Sequence, residues 1–68
     1  MNEEAFNMSI RKFLKMVGIR SQREIEQAVA NARSQGKIAG NESMPVTMAL
    51  TIGKLGIDVK FDGQIDLE

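Results

Sequence analysis

The sequence predicts an α+β domain of ααβββ order, with two N-terminal helices packed on one face of a three-stranded antiparallel meander, in two layers. Three observations predict it. Apolar residues recur at helical spacing through the first half of the chain. They alternate with a period of two after Pro45. Glycines stand where the periodic runs stop. The 68 residues allow one domain, 1–68, whose stability margin is thin at this size.

The first helix is expected over about residues 3–17. Phe6, Ile10, Phe13, Leu14 and Val17 fall on one face, and Arg11, Lys12 and Lys15 fall elsewhere. Glu3 and Glu4 sit in the first turn, where the helix dipole favours anions. Gly18 then stands where a left-handed residue commonly ends a helix. A second helix is expected over about 22–35. Its SQRE places Ser21 at the N-cap and Glu24 three residues on, a capping box. Ile25, Ala28, Val29 and Ala32 make a narrow apolar stripe, and Gly36 supplies the stop.

GKIAGNES, residues 36–43, reads as a connector. Strands are expected over about 46–52, 57–61 and 64–67. A four-residue loop, GKLG (53–56), pairs Ile52 with Ile57, Leu50 with Val59 and Met48 with Phe61, all apolar. For the second turn, a three-residue loop of Phe61, Asp62 and Gly63 keeps faces matched, pairing Val59 with Ile65 and Ile57 with Leu67. It predicts a type I turn closed by a left-handed Gly63 in a bulge. The same register sets Asp58 opposite Asp66, either a weak divalent-cation site or a solvated acidic edge that discourages strand pairing.

Composition excludes much chemistry. With no Cys and no His, disulfides, common zinc sites and the usual general base are missing. No phosphate-binding glycine loop is present. No catalytic, cofactor-binding or metal-ligating residue is expected, and no enzyme. The acidic N-terminus MNEEAFNMS lacks a signal-peptide core, and the longest uncharged run, SMPVTMALTIG, is too short to span a bilayer. A cytoplasmic protein without a membrane partner is expected.

Net charge is zero but segregated. Residues 1–10 carry Glu3 and Glu4, net −2. Residues 11–37 carry Arg11, Lys12, Lys15, Arg20, Arg23, Arg33 and Lys37 against Glu24 and Glu26, net +5. Residues 38–68 carry Lys54 and Lys60 against Glu42, Asp58, Asp62, Asp66 and Glu68, net −3. The expected corner Gly18-Ile19-Arg20 has the length of a helix-turn-helix turn, and Arg23 and Gln27 of the following helix are suitable base readers. Arg11, Lys12, Lys15, Arg20, Arg23 and Gln27 are therefore the candidate surface for a partner or nucleic acid. Glu24 and Glu26 within the reading helix, and zero net charge, oppose DNA. Met8 and Met16 lie off the main apolar face, where exposed methionine suits a partner surface.

FNMSIRKFLK (6–15), SQREIE (21–26) and DGQIDLE (62–68) resemble a family of short bacterial proteins, a domain of unknown function. The likeness covers nearly the whole chain, which implies a complete bacterial cytoplasmic protein, and it brings no catalytic residue, cofactor or substrate. The expected function is a non-enzymatic interaction module for a protein partner or a second copy, with a nucleic-acid-binding module as the alternative.

Overall fold

The computed structural model describes all of residues 1–68. Its backbone forms two units, Met1–Lys37 and Ile38–Glu68. The first is one helix, α1, Glu3–Ser34. The second is an antiparallel hairpin of β1, Ser43–Ile52, and β2, Ile57–Asp66, joined by a 3₁₀ turn at Gly53–Leu55. The two predicted helices and the third predicted strand are thereby corrected to one helix and two strands.

The helix begins at Asn2, whose side-chain oxygen accepts the Ala5 N–H at 3.0 Å. This cap satisfies one orphan donor of the first turn, and Glu3 and Glu4 add the favourable charge there. The helix ends as the sequence predicts, around Gly36. That residue is left-handed (φ 73°), Lys37 N–H donates to Ala32 O at 2.9 Å, and Gly36 N–H donates to Arg33 O at 3.0 Å. The crossed pair is a Schellman motif.

The predicted corner at 18–20 does not exist. Helix runs through Gly18, Ile19, Arg20 and Ser21, and Gly18 has no positive φ. A break there would orphan carbonyls on one side and N–H groups on the other, while one helical glycine costs only about 1 kcal/mol. The side-chain pattern also crosses the corner without interruption. Val17, Ser21, Ile25 and Val29 step by four along one row and are half-buried, as is Ala32, whereas Ala28 is exposed.

In the hairpin, the GKLG loop forms as predicted. Ile52 pairs Ile57, Leu50 pairs Val59 and Met48 pairs Phe61. Gly56 closes the turn with φ 65°. The predicted second turn is overturned, because β2 continues through Phe61, Asp62, Gly63 and Gln64. Ile65 pairs Met44 instead of Val59, and Gly63 lies opposite Val46. The connector correspondingly gives up Ser43 to β1, and Pro45 sits inside that strand opposite Gln64. Leu67 N–H donates to Glu42 O at 2.9 Å. Alternation from that bond places Pro45 at a non-hydrogen-bonded pair, where its missing N–H faces the open edge.

The result is a hairpin with one wholly apolar face (Met44, Val46, Met48, Leu50 and Ile52 against Ile65, Gly63, Phe61, Val59 and Ile57) and one polar face. No side chain in either unit is fully buried.

Two alanine substitutions with opposite signs check this register. Gly56→Ala places a Cβ in the left-handed region and is expected to cost about 1–2 kcal/mol. Gly63→Ala sits in extended backbone, with the new Cβ at an ordinary 3.5 Å from Val46 Cγ1. It is expected to stabilise by about 0.5–1 kcal/mol. Urea midpoints measure both, and a loss at Gly63 comparable to that at Gly56 would restore the bulged turn.

Candidate functional site

The six candidate residues all lie on α1, and all are exposed. From Arg11 to Gln27 they span about 24 Å of helix. At about 100° per residue, Lys12, Arg20, Arg23 and Gln27 share one side within about 80°, while Arg11 and Lys15 lie further round. A helix-turn-helix needs a second helix set at an angle to the first. With α1 unbroken, no recognition helix projects, and that geometry is absent. Gln22, at the start of the expected reading helix, donates instead along α1 to Glu26 at 3.4 Å.

Beside the basic side, Phe6, Ile10, Phe13, Leu14 and Val17 share an arc of about 100°. Val17 is half-buried. Phe6, Ile10, Phe13 and Leu14 are 39–56% exposed. This contiguous apolar face rimmed by charge was legible in the helical spacing, but its exposure was not. A shallow apolar groove runs beside it, lined by Ser9, Lys12, Phe13 and Met16. Met16 lines this groove with Phe13, and Met8 is 63% exposed on another side.

The acidic hairpin face is also rearranged. Asp58 does not oppose Asp66. Asp66 accepts from the Ser43 hydroxyl at 2.7 Å, Asp62 accepts from the Thr47 hydroxyl at 3.0 Å, and Asp58 lies opposite Thr51. Three carboxylates therefore stand four residues apart down one strand, about 14 Å from one to the next. No group of three acidic residues converges to hold a metal ion, so the cation-site reading is corrected. Sequence reasoning missed this hydroxyl–carboxylate ladder. The register of the GKLG loop, continued outward to Ser43, contains it.

What α1 presents is an apolar strip beside a basic one, and the hairpin presents an apolar face backed by carboxylates. No helix is long and apolar enough to cross a membrane. No curated protein and no solved structure matches the chain. A family of unknown function, DUF6494, matches residues 1–68 in full, so the chain belongs to that family.

Proposed function

We propose that this chain is a non-enzymatic protein-interaction module whose docking surface is the apolar N-terminal face of α1. The observation that carries this reading is the exposure of that face. Phe13 is 49% exposed and Leu14 56% exposed on a helix with no buried side chain. Most of a helix's stability in a protein comes from packing its apolar face, and a lone two-stranded hairpin is marginal in water. A protein partner supplies the missing burial. Nucleic acid is the weaker partner for the same helix, because zero net charge is poor for neutralising phosphates.

A photo-crosslinking side chain placed at Phe13, and separately at Gln27 as an exposed control, tests this in the cells that make the protein. Discrete protein adducts are expected at position 13 and not at position 27. Equal labelling at both positions, or none at 13, overturns the docking face.

A further inference from the structure

We infer that the occupant of this face is a second copy of the chain, its α1 lying antiparallel so that Glu3 of each copy meets Arg20 of the other. The inference rests on the docking reading above and names its partner.

Phe6, Ile10, Phe13 and Val17 are spaced four, three and four apart on one continuous helix. That is the alternation of a coiled-coil seam. One further step in each direction reaches Glu3 and Arg20. The six positions form a palindrome about the Arg11–Lys12 bond. Laid antiparallel on itself, the helix sets Phe6 against Val17, Ile10 against Phe13, and Glu3 against Arg20, and the two-fold repeats each pair. Four apolar layers are closed at both ends by unlike charges. A parallel pair would instead oppose Glu3 to Glu3 and Arg20 to Arg20, which is unfavourable.

The flanks agree with the same alignment. Asn7 comes beside Leu14 of the other copy, and Ser9 comes beside Met16, so no like charges meet along the seam. Arg11, Lys12 and Lys15 stay on the outer sides. The hairpin edges are poorer meeting places. Pro45 interrupts the outer edge of β1, and Asp58, Asp62 and Asp66 charge β2.

Sedimentation equilibrium of the full chain across the micromolar range tests the seam, with helical circular dichroism as the folding control. The wild type is expected to be a dimer. Glu3→Arg and Arg20→Glu are each expected to weaken it by about tenfold, since each reverses two symmetric pairs. Both the double variant and an equimolar mixture of the two single variants restore wild-type association. A parallel pair opposes like charges in the wild type, in each single variant and in the double variant, so only the mixture would associate, and more tightly than the wild type; that result would overturn the antiparallel seam. A wild-type dimer indifferent to all three would also overturn it. A wild-type monomer at every concentration overturns the second copy. If Phe13 then crosslinks to a different protein, the docking face stands, and if it crosslinks to nothing, both readings fall.

Discussion

Gly18→Pro is expected to destabilise the chain by about 3 kcal/mol or more and to lower its helical circular dichroism sharply. Gly18 lies at the middle of α1, where the backbone is helical and its N–H belongs to the hydrogen-bond ladder. Proline removes that donor, and its ring presses on the carbonyl of Leu14 four residues earlier. If residues 18–20 were a corner between two helices, the same substitution would sit in a turn and cost little. Gly18→Ala sharpens the comparison. A Cβ built there meets nothing within 4 Å, so alanine is expected to stabilise by up to about 1 kcal/mol from helix propensity alone. A loss of stability with alanine together with tolerance of proline would mean that the helix is broken.

Phe13→Glu is expected to weaken self-association by more than about a hundredfold while leaving the helix intact. In the antiparallel seam each Phe13 packs against Ile10 of the other copy, so every dimer loses two aromatic contacts. Burying a phenylalanine is worth about 1.5–3 kcal/mol, and two of them account for about 3–6 kcal/mol. Within a single chain the side chain is already half exposed, and glutamate is a better helix former than phenylalanine. Met8→Glu is the control. Met8 is more exposed than Phe13 but points away from the seam, and its replacement is expected to leave association unchanged. The thermal midpoint should rise with protein concentration for the wild type and for Met8→Glu, and stay flat for Phe13→Glu. Equal effects of the two substitutions would mean that general hydrophobicity, and not this face, drives association.

Much of the candidate site was legible in the sequence. The phase of Phe6, Ile10, Phe13 and Val17 follows from spacing alone. So does the separation of the basic side carrying Lys12, Arg20 and Arg23. What spacing did not reveal is the exposure of Phe6, Ile10, Phe13 and Leu14, because helical periodicity marks an apolar face and not what covers it. The helix-turn-helix reading failed for a related reason. Ser21 and Glu24 carry the residue types of a capping box, yet such a box forms only where the helix has already stopped. Inside α1, Ser21 is simply one step of the half-buried row from Val17 to Val29.

The sequence by itself determined the amphipathic phase of the helix, its stop at Gly36, the GKLG loop with its Ile52–Ile57 register, and the lack of histidine and cysteine chemistry. Each rests on local geometry or on residue inventory, so no distant residue could change it. Only the three-dimensional structure decided whether Gly18 breaks the helix and whether Asp62-Gly63 turns the chain. Both sites carry turn signals worth about 1 kcal/mol. Each competes with a ladder of backbone hydrogen bonds whose continuation depends on residues elsewhere. At Gly18 the ladder continues because an unbroken helix orphans no donors or acceptors. At Gly63 it continues because β1 reaches back to Ser43, giving Ile65 a partner in Met44 and Asp62 a hydroxyl in Thr47. A third strand would have had to bend β2 back on itself to find the same contacts.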